Sequence, residues 1–176
     1  MNKEIFIPAI GDKGELFPIE KMEAHKIAQL HLAVSIFVFD GQHLLMQRRA
    51  CSKYHSAGQW ANTCCTHPHW NEALENCASR RLREELGFEV ELTRGGEIDY
   101  TADVGGGMHE NERVTIFIGH ASRHDLVVTP DPLEVDEFQW LKLDELVAEI
   151  HSNPDKFSPW LKIYVERFNG LQDINI

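Results

Sequence analysis

Short apolar segments bounded by turn residues predict several β-strands. Residues 32–39 are apolar except for Ser35 and predict a buried strand, and the Asp40-Gly41 pair that follows predicts a hairpin turn. The remaining assignments are strands at 43–48, 97–100, 113–120 and 137–141 and an irregular stretch at 52–64. Three glycines at 105–107 lie between two of the strands and predict a mobile connection.

Three other segments are predicted to be α-helices. In residues 72–86 apolar positions recur at helical spacing, with Asn71 as the expected N-cap and Gly87 after the C-terminus. The recurring positions are Leu74, Cys77, Ala78 and Leu82. The other helices are predicted at 143–150 and 159–168.

The order of these elements predicts the fold class and the domain organisation. Strands and helices are mixed without a strict βαβ alternation, and no repeat, low-complexity segment or linker divides the 176 residues. We therefore expect an α/β fold in which a mixed sheet lies between helices. The prediction is a single domain over residues 1–176, with its core at about 21–168.

The chain is acidic, with 28 Asp and Glu residues against 17 Lys and Arg residues and a formal net charge of −11. That charge repels nucleic acid and anionic membranes, so neither is expected as a partner. An anionic small molecule would need a local cationic pocket or a bound metal ion. The four cysteines include no CxxC pair, which favours reduced thiols and a cytoplasmic protein. Residues 1–10 lack a signal peptide's apolar stretch, no apolar run is long enough to span a membrane, and nothing requires more than a monomer.

Three histidines and two glutamates form a first candidate site. They are His25, His31, His67, Glu110 and Glu112. Glu110 and Glu112 open a predicted strand, where residues two apart point the same way, so both carboxylates can reach one site. Such a set suits a Mn, Zn or Mg ion. The alternative is that each histidine is structural or exposed, and the spacing alone does not separate the two interpretations.

A second candidate site combines a carboxylate, cationic side chains and a thiol. Glu85 lies four residues after Arg81 on one helix face, so the carboxylate could hold a divalent cation while the guanidinium meets a phosphate. Surface salt bridges are the alternative for this charged run. Cys65 is interpreted as a reactive thiol beside the metal site, whereas Cys64 and Cys51 are expected to be structural. The cations that could line a diphosphate pocket are Lys21, Arg48, Arg49, Lys53 and Arg81.

Taken together, these residues resemble the metal-dependent isopentenyl diphosphate isomerase family, which has a Nudix-like fold. The similarity runs from about Lys21 to Trp160 and rests on the order of the motifs, each of which is modest alone. The motifs are Ala24-His25, Leu30-His31-Leu32-Ala33, Gln47-Arg48-Arg49-Ala50, Trp60-Ala61-Asn62-Thr63-Cys64-Cys65-Thr66-His67-Pro68, the Arg/Glu helix, Glu110-Asn111-Glu112 and Phe157-Ser158-Pro159-Trp160.

The resemblance implies an enzyme that interconverts isopentenyl diphosphate and dimethylallyl diphosphate by moving protons through a tertiary carbocation. It implies that Cys65 and Glu112 are the catalytic pair and that Tyr100 assists Glu112. A Mn, Zn or Mg ion is implied at His25, His31, His67, Glu110 and Glu112, and a diphosphate-bridging Mg ion at Glu85, with Cys65 also counted among the metal ligands. The implied substrate contacts are Lys21, Arg49, Lys53 and Arg81 at the phosphates and Trp160 at the hydrocarbon end.

Two positions depart from the hydrolytic Nudix box, which runs Gly-x5-Glu-x7-Arg-Glu-x-x-Glu-Glu-x-Gly. Thr66 replaces its first glycine, and Arg81 replaces the glutamate of the Arg-Glu pair. The positions that match are Glu72, Arg80, Glu84, Glu85 and Gly87. Loss of that glutamate should weaken the metal cluster that activates water, which favours isomerisation. Two alternatives stay open: a Nudix diphosphate hydrolase acting on a nucleotide derivative, and a non-catalytic binding module that kept the fold.

Overall fold

The computed structural model describes residues 4–174, and within that range the chain forms one mixed sheet of nine strands with four α-helices. In chain order the elements are β1 (Phe6–Ile10), β2 (Leu16–Glu20), α1 (Lys21–Lys26), β3 (His31–Asp40), β4 (His43–Arg49), β5 (Trp60–Ala61), β6 (Cys64–Thr66), α2 (Leu74–Leu86), β7 (Leu92–Gly105), β8 (Met108–His120), β9 (Val135–Lys142), α3 (Leu143–Ser152) and α4 (Pro159–Arg167). A short 3-10 helix, Pro154–Lys156, precedes α4.

Strand β3 lies inside the sheet and sets the register of its neighbours. It pairs in parallel with β8, with His31 opposite Glu112, and antiparallel with β6, with Ser35 opposite Cys65. Strand β8 also pairs with β7, strand β4 pairs with β5 and β9, and β1 and β2 form a hairpin. The pairing therefore places residues from distant parts of the sequence side by side.

Side chains of β3 alternate between two hydrophobic cores, one on each face of the sheet. Phe37 and Phe39 are fully buried in the core that contains α3 and α4, and the ring of Phe37 meets Tyr164 edge-on at 5.2 Å. Ile36 packs in the other core, which includes Leu82 of α2. The predicted fold class, a mixed sheet between helices in a single domain, is confirmed.

Several predicted element boundaries need correction. Helix α2 begins at Leu74 with Ala73 as its N-cap, whereas Asn71 has a φ of 66° in the preceding turn, a left-handed conformation that asparagine tolerates well. Gly87 ends α2 with a φ of 72°, as expected. The glycines at 105–107 form the tight turn between β7 and β8, and all three have positive φ. The stretch expected to be irregular contains β5 and the start of β6.

The sequence interpretation missed the N-terminal hairpin and the short helix α1. Each strand of the hairpin contains a proline, which cannot donate a hydrogen bond within a sheet and therefore argues against a strand. In the fold Pro8 lies opposite Pro18. Strand β2 forms an edge of the sheet and β1 pairs with β3 at Ala9 and His31, so a missing donor is tolerated at both prolines. The hairpin leads directly into α1, which carries Lys21 and His25.

Candidate active site

The first candidate site is assembled where α1, β3, β8 and the segment after β6 meet. One ligand atom from each of five buried residues lies within 4.8 Å of all the others; they are His25, His31, His67, Glu110 and Glu112. Strand β8 supplies Glu110 and Glu112 from one face, in keeping with the period of two. Folding thus brings potential metal ligands from four separate segments into one buried cluster.

Hydrogen bonds at the edge of this cluster orient two imidazoles. His25 Nδ1 donates to the carbonyl of Lys21 at 2.6 Å, and His31 Nδ1 donates to the carbonyl of Gln29 at 2.7 Å. Because a carbonyl oxygen only accepts, each Nδ1 carries a proton, and in the neutral ring each Nε2 keeps a lone pair. These are the tautomers that leave Nε2 available to a metal ion.

Inside the cluster the polar atoms are only partly paired. His67 Nε2 lies 2.7 Å from Glu112 Oε1 and 3.1 Å from His31 Nε2. His25 Nε2 and Glu110 Oε2 lie 3.3 Å apart, and neither has a hydrogen-bond partner within residues 4–174. Buried polar atoms are normally paired, so a cation at this point would satisfy the unpaired ones. The residues present therefore fit a bound metal ion.

Cys65 and Glu112, the predicted catalytic pair, line a single cavity together with Tyr100. The phenol of Tyr100 donates to Glu112 Oε2 at 2.6 Å. Burial by itself raises the pKa of the Glu112 carboxyl, but hydrogen bonds to the carboxylate, among them that of the Tyr100 phenol, bring the pKa down to about 2. The carboxylate is therefore ionised near neutral pH.

Two polar side chains hold the thiol of Cys65. Its Sγ lies 3.0 Å from Ser35 Oγ and donates to Asn62 Oδ1 at 3.2 Å, while the Asn62 amide donates to Ser35 Oγ at 2.9 Å. Burial raises the pKa of the thiol well above its usual value despite these hydrogen bonds. The cavity thus contains a protonated thiol and an ionised carboxylate at the same pH.

The same cavity is lined by four cations, which are Lys21, Arg49, Lys53 and Arg81. Two carboxylates partly neutralise them. Arg81 Nη2 lies 2.5 Å from Glu85 Oε1 and 3.4 Å from Glu134 Oε2, and Lys53 Nζ lies 2.5 Å from Glu134 Oε2. Glu85 is buried and also accepts from Gln47 Nε2 at 2.9 Å. An anionic ligand could therefore exchange with these carboxylates for the same cations.

Trp160 closes part of this cavity and connects it with the core. Its side chain is almost fully buried, and the guanidinium of Arg49 lies 5.2 Å from the ring centroid. The indole therefore offers an aromatic surface to the cavity next to one of the cations.

The prediction that Arg48 lines the cavity is wrong. Successive residues of a strand point to opposite faces, so Arg49 lines the cavity while Arg48 Nη2 pairs with Glu137 at 3.2 Å on the outside. Three lining residues were missed by the sequence interpretation, namely Tyr54, His55 and Glu134. They lie in the connections 50–59 and 121–134, where no periodic pattern marks an inward side chain.

Comparisons with known proteins agree with the architecture. A family model described as the NUDIX domain matches residues 29–161. A crystal structure of a Deinococcus radiodurans protein superposes with a TM-score of 0.73, covering 92% of this chain and 98% of that chain at 16% identity. A MutT protein from Methanosarcina mazei gives a TM-score of 0.64, covering 80% and 93% at 17% identity. The chain carries a NUDIX domain. The similarity to these two distant structures supports the fold alone.

Relatives with higher sequence identity define the family within the NUDIX fold. Isopentenyl-diphosphate Delta-isomerase of Rhodobacter capsulatus is 49% identical over 169 residues, covering 96% of this chain and 95% of the relative. Enzymes of the same name are 51% identical over 160 residues in Cereibacter sphaeroides and 49% identical over 162 residues in Ruegeria pomeroyi, and each match covers at least 89% of both partners. The chain belongs to the isopentenyl-diphosphate Delta-isomerase family, which confirms the resemblance carried by its motifs. None of the helices within residues 4–174 is long and apolar enough to cross a membrane.

Proposed function

We propose that this protein interconverts isopentenyl diphosphate and dimethylallyl diphosphate by proton transfer between Cys65, Glu112 and the substrate. The observation that carries the proposal is the placement of the Cys65 thiol and the Glu112 carboxylate in one cavity that is also lined by four cations. An alkene isomerisation needs a proton donor, a proton acceptor and exclusion of water, and Cys65 and Glu112 are suitable as the donor and the acceptor.

The proposed metal sites use residues that the fold brings together. His25, His31, His67, Glu110 and Glu112 would hold a Mn, Zn or Mg ion. Glu85, with Cys65 nearby in the same cavity, would hold a Mg ion that meets the diphosphate. When bound, these ions supply positive charge that fixes the carboxylates and neutralises the phosphates.

In the proposed reaction, the thiol proton of Cys65 moves to the terminal methylene carbon of isopentenyl diphosphate. The alkene electrons form the new C–H bond, and a tertiary carbocation remains. Glu112 then takes a proton from the methylene group on the diphosphate side, and that C–H electron pair becomes the new double bond. The thiol has lost one proton and the carboxylate has gained one, so the pair must exchange a proton before the next turnover.

Other residues of the cavity bind and orient the substrate in this proposal. The diphosphate contacts Lys21, Arg49, Lys53 and Arg81, which places the hydrocarbon tail towards Trp160. The indole face stabilises the carbocation, an interaction worth about 2 kcal/mol in a desolvated site. Ser35 and Asn62 hold the thiol in place. We further expect a cytoplasmic monomer that binds neither nucleic acid nor membranes, in keeping with the acidic net charge.

A hydrolytic activity is disfavoured by the state of the charged helix α2. Glu84, which matches the Nudix box, is exposed and pairs with Arg80 at 3.0 Å and Arg81 at 2.8 Å. Arg81 itself occupies the position of a box glutamate and pairs with Glu85. Within the box helix, Glu85 is therefore the carboxylate that remains in the cavity, whereas water activation by a metal cluster needs several.

The test is a proton NMR assay of the purified protein with isopentenyl diphosphate and Mg²⁺ in D₂O. We expect the vinyl signals to disappear, the two methyl signals of dimethylallyl diphosphate to appear, and deuterium to enter the product. Cys65→Ala should lower turnover by roughly 100- to 10,000-fold while the melting temperature stays near that of the wild type. Release of inorganic phosphate from nucleoside diphosphate compounds without any alkene shift would instead establish the hydrolase.

A further inference from the structure

In each of the two carboxylates of the metal cluster, one oxygen faces the cluster and the other faces a neighbouring side chain outside it. Glu112 directs Oε1 to His67 and accepts the phenol of Tyr100 on Oε2. Glu110 directs Oε2 to His25, and its Oε1 lies 3.0 Å from Nε2 of His55. Both carboxylates therefore use one oxygen inside the cluster and keep the other beside a side chain that can donate a proton.

Burial, a ring contact and a backbone hydrogen bond hold His55 in this position. Its side chain is buried in the connection between β4 and β5, and its ring meets Trp160 edge-on at 5.8 Å. Arg49 Nη2 donates to the backbone carbonyl of His55 at 3.2 Å and so holds the loop at this residue. The ring consequently has little freedom to leave Glu110.

The neighbours of the His55 ring favour one tautomer. The ionised carboxylate of Glu110 can only accept, so the ring proton belongs on Nε2, which lies 3.0 Å from Glu110 Oε1. Ser56 Oγ, 3.4 Å from Nδ1, can then donate its hydroxyl proton to that nitrogen. The Nε2–H bond does not point straight at Oε1, although the two atoms are within contact distance. The contact therefore places a donor nitrogen beside the outer oxygen of Glu110.

We propose that His55 is a positioning residue for the metal site, holding Glu110 through Nε2 as Tyr100 holds Glu112. This inference rests on the proposed function, because it gives His55 a role only if His25, His31, His67, Glu110 and Glu112 bind a metal ion. Partners that orient a ligating carboxylate raise metal affinity by about 10- to 100-fold in other proteins. His55 does not join the five ligand atoms themselves and acts through Glu110.

The experiment measures Co²⁺ affinity of the metal-free protein by competition with a chromogenic chelator, and records the visible Co²⁺ spectrum. His55→Phe keeps a ring against Trp160 but has no N–H, so we expect roughly 10- to 100-fold weaker binding and a changed spectrum. His55→Gln retains an N–H donor and should recover most of the affinity. Tyr54→Phe is the matched control on the same loop. Its Co²⁺ affinity should stay within about threefold of the wild type, a smaller change than the loss expected for His55→Phe.

A double-mutant cycle tests the route through Glu110. In a Glu110→Ala background, His55→Phe should cause no further loss, because position 110 no longer carries an oxygen that can accept from His55. Wild-type affinity and spectrum in His55→Phe, or an equal loss in both backgrounds, would overturn the proposal. His55→Leu replaces His55→Phe if melting of the metal-free protein shows that the larger side chain prevents folding.

The wild-type protein separates this inference from the proposed function. If the wild type binds no Co²⁺ and does not isomerise isopentenyl diphosphate, the proposed function and the role of His55 both fail. If the wild type does both and His55→Phe matches it in metal affinity, only the role of His55 fails.

Discussion

Replacing Tyr100 with phenylalanine tests the hydrogen bond on which the proposed base depends. The change keeps the buried ring and removes the hydroxyl that donates to Glu112 Oε2. At 2.6 Å, this is a short buried bond to an ionised acceptor, a type that contributes about 1.5–3 kcal/mol. If that free energy holds the carboxylate in the orientation that reacts, its loss lowers the reactive population and therefore kcat by up to roughly 10- to 150-fold.

The same substitution moves the pH dependence in a direction that follows from the hydrogen bond. The phenol stabilises the ionised form of Glu112 and so lowers the pKa of that carboxyl. Without the phenol the pKa rises, and the proposed base becomes protonated at a higher pH than in the wild type. The acid limb of the kcat profile should therefore move to higher pH in Tyr100→Phe.

The assay is the rate of dimethylallyl diphosphate formation at saturating substrate, measured from acid to neutral pH for both proteins. Tyr54→Phe serves as the control, because it removes a phenol from the same cavity and leaves the hydrogen bond from Tyr100 to Glu112 in place. A Tyr100→Phe enzyme with nearly wild-type kcat and an unmoved acid limb would refute the role given to this bond.

Two further substitutions probe the second metal site and the core. Glu85→Gln keeps the shape of a buried side chain but removes its charge. The Mg²⁺ concentration for half-maximal activity should rise by about tenfold or more, because even the loss of a residue that only supports a metal ligand costs about 10- to 100-fold in affinity. A Mg²⁺ titration with an unchanged midpoint would remove Glu85 from the proposal. Phe37→Ala should lower the free energy of unfolding by about 3–5 kcal/mol, because it empties a fully buried site against Tyr164. Urea denaturation measures this loss, and a cost below about 1 kcal/mol would mean that the core closes around the gap.

The parts of the fold that follow local rules could be predicted from the sequence. The apolar run of β3 and the Asp40-Gly41 turn appear where expected, and Gly87 ends α2. The N-terminal hairpin escaped prediction because Pro8 and Pro18 are locally unfavourable in strands. Their acceptability depends on the position of β2 at a sheet edge and on the short pairing of β1 with β3, which only the assembled sheet determines.

In the candidate active site, too, the residues governed by local rules could be predicted and the others could not. The spacing of Glu110 and Glu112 predicted a shared direction, and the strand provides it. The alternation along β4 also contained enough information to separate Arg48 from Arg49, although charge alone had grouped them. His55 and Glu134 lie in loops, whose inward residues depend on contacts with distant segments. No local pattern in the sequence could identify them.

Strand β3 holds a metal-cluster histidine and a partner of the thiol on one face, at His31 and Ser35, while its other face packs on α2. Deleting one residue between them would turn one of the two to the opposite face, because successive side chains of a strand alternate. Insertions and deletions of single residues within these ten residues should therefore be far rarer among functional homologues than substitutions.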